Sequence, residues 1–161
     1  MLSIKIAIGS CLSIYIATYL QLDFAISVGI ITLLTILTTK WETLKLSFLR
    51  ILTFLISVLI LWIISNYIES NWIAYGVFIL LIVFISEFLG WGATISTNAV
   101  VGTHFLTTHD FSFEFIMNEA MLVGIGISFA VLFNLFHDTN NQKSRIIQDM
   151  RDTESKLQEI L

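Results

Sequence analysis

GIITLLTILTTKWETLKLSFLRI, residues 29–51, consists of two apolar runs joined by a short charged turn. The first run carries threonines on one side, and the second begins before its charges have ended. Lys40, Lys45 and Arg50 gather around the turn, between hydrophobic runs longer than a soluble hairpin needs. The stretch reads as a membrane hairpin whose loop faces the cytoplasm, because Lys and Arg near span ends set orientation.

The rest of the chain has the same character. It has 161 residues, 57% of them hydrophobic and 12% charged, with a mean hydropathy of +0.89, whereas charged residues make up about a quarter of a soluble domain. The composition implies an all-α integral membrane protein in the lipid bilayer. At roughly 20 residues per crossing, six transmembrane helices and a short tail fill the length. A chain of this size does not hold a large transporter by itself, so a homo-oligomer is expected to complete any pore.

Several function classes drop out. The few cations form no basic stripe, so nucleic acid is not an expected partner. Cys11 is the single cysteine, which excludes an internal disulfide and a cysteine-based zinc site. His104, His109 and Asp110 lie at a helix-to-loop junction with a spacing that does not converge, so no metal is expected there, and nothing implies a cofactor. There is neither a G-x-x-x-x-G-K-[ST] loop nor the surroundings of a hydrolase nucleophile, so an enzyme is not expected.

Six spans are predicted at about 3–20, 24–39, 44–67, 72–88, 93–107 and 113–136, arranged as helical hairpins. Lys5 followed by an apolar run resembles a signal peptide, but no A-x-A-like site follows and a retained first span is expected. In that span Gly9, Ser13 and Ala17 recur every four residues, a small-xxx-small pattern that predicts a tightly packed neighbour, the second span. Gly124 and Ser128 predict a similar close contact on the sixth. The sequence contains no proline, so breaks must fall at glycine or in loops. Gly90-Trp91-Gly92 is one such break.

The segment 138–161 turns polar and charged after the membrane domain at 1–137. Its Ile146, Met150, Thr153, Leu157 and Ile160 form one apolar seam, which predicts a short cytoplasmic helix that either self-associates or packs beneath the membrane domain. Under the six-span arrangement Lys5, Lys40, Lys45, Arg50, Lys143, Arg145, Arg151 and Lys156 all fall on one side or just within its interface. The opposite turns hold Asp23, Glu69, Asp110 and Glu114 and no cation. Both termini are therefore expected in the cytoplasm, with the chain in the bacterial inner membrane.

Polar residues inside the spans are the candidates for a substrate path. Thr32, Thr35 and Thr39 share one face of the second span, as ordinary packing or as a polar wall. Arg50 lies within the first two turns of the third span, where it either snorkels to the interface or faces a vestibule that attracts anions together with Lys40 and Lys45. The fifth span holds Thr94, Thr97, Asn98, Thr103 and His104, too many polar groups for a lipid-facing helix, so it is expected to be shielded or re-entrant. Asn118 and Glu119 on the sixth span complete the set. His104 and Glu119 are candidates for taking up and releasing a proton, or else for neutral interhelical hydrogen bonding.

KIAIGSCLSIYIATYLQLDFAISVGIITLLTILTTKWETLKLSFLR at 5–50, STNAVVGTHFL at 96–106 and NEAMLVGIGISFAVLFNL at 118–135 carry a resemblance to the membrane half of the bacterial aromatic acid exporter family. That family is related to fusaric acid resistance proteins and, more remotely, to plant malate-permeable channels. The resemblance covers residues 4–136 and implies an oligomeric six-helix domain that moves organic anions out of the cell. Many longer members are similar to this domain followed by a sizeable cytoplasmic domain, whereas here one tail helix is expected in the sequence given. The resulting expectation is export of aromatic or other organic acid anions. A passive anion channel is one alternative, and a non-transporting scaffold acting through the tail is another.

Overall fold

A computed structural model describes residues 2–36 and 40–135, together with Met150. Among them are six α-helices and no strands: α1 (Leu2–Tyr19), α2 (Ile26–Ile36), α3 (Lys40–Tyr67), α4 (Asn71–Phe88), α5 (Ile95–Thr108) and α6 (Phe113–Leu135). A 3-10 turn, Gly92–Thr94, leads into α5. These helices follow the predicted segments in number and order. Three stretches, Lys45–Tyr67, Asn71–Phe88 and Phe113–Asn134, are long and apolar enough to cross a membrane. By contrast, α5 with 14 residues reaches only about 21 Å, short of the ~30 Å of a hydrocarbon core. Thr39 and the predicted tail helix lie outside the described residues, apart from Met150.

Small residues determine how the helices meet. Gly9, Ser13 and Ala17 are all buried, and α1 packs on α2 as their spacing predicts. Further close approaches occur where side chains are absent: a Cβ on Gly102 would stand 2.4 Å from Phe78 Cε1, and one on Gly126 2.6 Å from Ile31 Cγ2. Gly126, and not the predicted pair Gly124 and Ser128, therefore makes the tight contact of α6. Space opposite Gly124 is open and Ser128 is exposed, because that face of α6 turns away from the bundle.

The core runs through Ile31, Phe54, Leu61, Phe78, Ile82, Val101, Phe105, Val123 and Ile127, and joins α2 through α6. The outer surface is equally apolar, with Leu55, Leu59, Trp62, Leu80, Phe84 and Leu132 exposed. A protein in water would leave such a surface unsatisfied, but lipid tails cover it without penalty. The described residues thus form an apolar outside and an apolar core, with most of the buried polar groups in the seams between α2, α3, α5 and α6 and others on α1 (Ser13) and α4 (Ser86).

Candidate functional site

Two buried polar clusters occupy these seams. The first lies where the 20–25 connection meets the start of α6. Glu119 on α6 is fully buried and its Oε2 stands 2.8 Å from His104 Nδ1 on α5. On the other side of the imidazole, Nε2 lies 2.9 Å from the Ser27 hydroxyl on α2, so one ring edge faces a carboxylate and the other a hydroxyl. Phe24 stacks flat on the ring, with centroids 4.1 Å apart and planes 8° from parallel. That placement requires the left-handed conformation at Phe24, φ 55°, which bulky residues rarely adopt and which surrounding contacts must hold in place.

Asn118 ties the pair to the surface. Its Oδ1 accepts from the Asp23 backbone N–H at 2.9 Å, while its Nδ2 donates to the Asp23 carbonyl at 3.3 Å and to Glu119 Oε1 at 3.4 Å. Beyond Asn118 opens a depression of about 440 Å³, lined among others by Asp23, Asp110, Ser112 and Met121. A chain of polar groups therefore runs from this depression through Asn118, Glu119 and His104 to Ser27. Among the described residues His104 and Glu119 are the one acid and base pair within ion-pair distance.

The second cluster lies at the other end of the bundle. Arg50 on α3 is 1% exposed, so it does not snorkel. Its Nη1 donates to the Thr35 hydroxyl on α2, which in turn donates to the Ile31 carbonyl at 2.6 Å. Nη2 reaches the carbonyls of Leu34 at 3.2 Å and Ala93 at 3.4 Å, joining the end of α2 to the turn that opens α5. Thr53, one turn along α3, accepts from Asn98 Nδ2 at 2.8 Å, and the same amide nitrogen lies 3.1 Å from the Thr94 carbonyl. The carbonyl can only accept, so the amide orientation is fixed and Asn98 Oδ1 is left without a partner. Among the described residues every partner of Arg50 is neutral. A buried cation with no carboxylate within ion-pair distance among the described residues is unusual, since charges removed from water are generally paired.

The sequence-derived candidates thus divide. Thr35, Arg50 and Asn98 share the second cluster, and His104, Asn118 and Glu119 share the first. Thr32 lies on α2 between the two, with its hydroxyl 2.9 Å from Ser13 Oγ and 2.8 Å from the Val28 carbonyl, in a helix-packing role. Lys45 is exposed and does not converge on Arg50, because five residues of helix turn it to another face. The Lys40 side chain lies outside the described residues. Thr103 and Thr107 face outward and satisfy their hydroxyls on backbone carbonyls of their own helix, which explains how α5 tolerates them. Ser27, Thr53 and Phe24 were not among the candidates. Thr53, one turn from Arg50, and Ser27, two turns before Thr35, were legible from helical spacing, whereas nothing in the sequence marks Phe24.

The uncharacterized protein YqjA of Bacillus subtilis (strain 168) is 30% identical over 141 residues, 88% of this chain and 44% of that protein. The chain therefore spans less than half the length of that relative. No solved structure matches the chain. The sequence profile described as aromatic acid exporter family member 1 matches residues 2–137, a range that takes in all six helices and both polar clusters. This membrane bundle belongs to the aromatic acid exporter family.

Proposed function

We propose that the chain exports aromatic or other organic acid anions across the bacterial inner membrane, as part of a homo-oligomer and driven by a proton gradient. Family membership supports membrane export. The observation that carries the anionic substrate is Arg50, a buried cation whose partners among the described residues are all neutral. In this reading all six helices cross the membrane, with α5 and its 3-10 turn shielded by α3 and α4, and both termini lie in the cytoplasm. Under that six-span arrangement every Lys and Arg would fall on one side or just within its interface, which supports the orientation. The anion enters beside Arg50. The His104 and Glu119 pair exchanges a proton with the opposite side through Asn118 and the adjoining depression.

A passive anion channel is the second reading, favoured by a Glu119 that could serve only as interhelical glue. Efflux of radiolabelled hydroxybenzoate from proteoliposomes, with and without an imposed pH gradient, separates the two. Flux that rises with the gradient supports the exporter, and flux indifferent to it supports the channel. No flux from folded protein removes transport and leaves the scaffold, in which the 138–161 tail carries the activity.

A further inference from the structure

Arg50 presents three kinds of nitrogen, and they are not equally used. Nη1 is committed to Thr35. Nη2 makes only long bonds, at 3.2 and 3.4 Å, to two backbone carbonyls. Nε has no partner among the described residues, although its surroundings are buried. Nε–H and the adjacent Nη2 form one edge of the guanidinium plane, two parallel donors whose spacing matches the two oxygens of a carboxylate. Nearby on α5, Asn98 Oδ1 and Thr97 Oγ1 also lack partners, at 0% and 1% exposure. Asn98 Oδ1 can only accept and so does not face an anion, whereas the Arg50 Nε–H is a buried charged donor without a partner among the described residues, which is uncommon and calls for a cause.

We propose that the Nε and Nη2 edge of Arg50 is a carboxylate-recognition subsite, shown here in its closed form. The Leu34 and Ala93 carbonyls occupy Nη2 until a carboxylate takes both positions. Arg50 then releases the end of α2 from the turn at 91–94, which opens the seam at that end of the bundle. The inference rests on the export reading and deepens it by naming the group that selects the anion. Arg50 is a binding residue that holds the carboxylate, and Thr35 is a positioning residue that fixes the guanidinium plane through Nη1.

The test uses the full chain in phosphatidylcholine nanodiscs with benzoate as probe. Benzamide, of the same shape but uncharged, is the control ligand. Arg50→Lys keeps the charge and loses the fork, and is expected to weaken benzoate binding at least about tenfold. Thr103→Val, on the outer face, should bind as the parent does. In the parent protein benzoate should also raise amide hydrogen exchange at residues 34–36 and 91–94, a readout that needs no variant. If the parent binds and transports benzoate but Arg50→Lys binds it equally well, or exchange at both segments is unchanged, the subsite is wrong while export stands. Benzamide binding as tightly as benzoate, or inorganic phosphate displacing benzoate at equal concentration, would also overturn it. A parent protein that neither binds nor transports benzoate overturns the subsite and the export reading together.

Discussion

Replacing the two partners of the buried His104 and Glu119 pair should give unequal results. Glu119→Gln keeps the side-chain volume and leaves an amide oxygen that accepts from the imidazole where the carboxylate stood, 2.8 Å from Nδ1. The ring keeps its second bond to Ser27. One hydrogen bond to the imidazole replaces another, so the cost should be about 1 kcal/mol. His104→Leu leaves the Glu119 carboxyl fully buried with only the long contact from Asn118 and also abandons the Ser27 hydroxyl. Breaking a buried pair from this side should cost roughly 3–5 kcal/mol. The functional order is reversed: Glu119→Gln cannot carry a proton and should abolish gradient-driven efflux despite near-parental stability. Equilibrium unfolding in mixed micelles reads the first quantity, and proteoliposome efflux across a pH step reads the second. If Glu119→Gln destabilises as much as His104→Leu, or keeps gradient-driven efflux, the account of the pair as a proton-exchanging site is refuted.

Two further outcomes follow from packing and charge placement. Gly102→Val should lower stability by about 2 kcal/mol or more, because its Cβ would meet the fully buried Phe78 ring at 2.4 Å. Gly124→Ala, with nothing within 4 Å, should instead gain about 0.5–1 kcal/mol; thermal unfolding of the two variants side by side checks the contrast. On a Cys11→Ser background, cysteines introduced singly at Ser70 and Ser112 should react with an impermeant maleimide added outside intact cells. Labelling only after the membrane is opened would reverse the orientation and with it the side from which the anion enters.

What the sequence by itself determined is the set of helices and their separation from water. Apolar runs separated by polar connections are one-dimensional signals, and the six helices among the described residues follow them, three with stretches long and apolar enough to cross a membrane. The α1 and α2 contact was equally legible, because Gly9, Ser13 and Ala17 at every fourth position can do little else on one helix face. Helical spacing also picked out Thr35, Arg50, Asn98, His104 and Glu119 as polar groups in costly places. Only the tertiary structure decided which of them meet, and it sorted them into two clusters instead of one path. His104 pairs with Glu119 because α2 and α3 each pack on both α5 and α6, which brings the two side chains together beside Ser27. Arg50 finds Leu34 and Ala93 through backbone carbonyls, which no side-chain pattern announces. Gly126, and not Gly124, receives Ile31 because helix rotation in an apolar segment is set by the neighbour it packs against, and a helix apolar all round carries no stripe from which that rotation can be read.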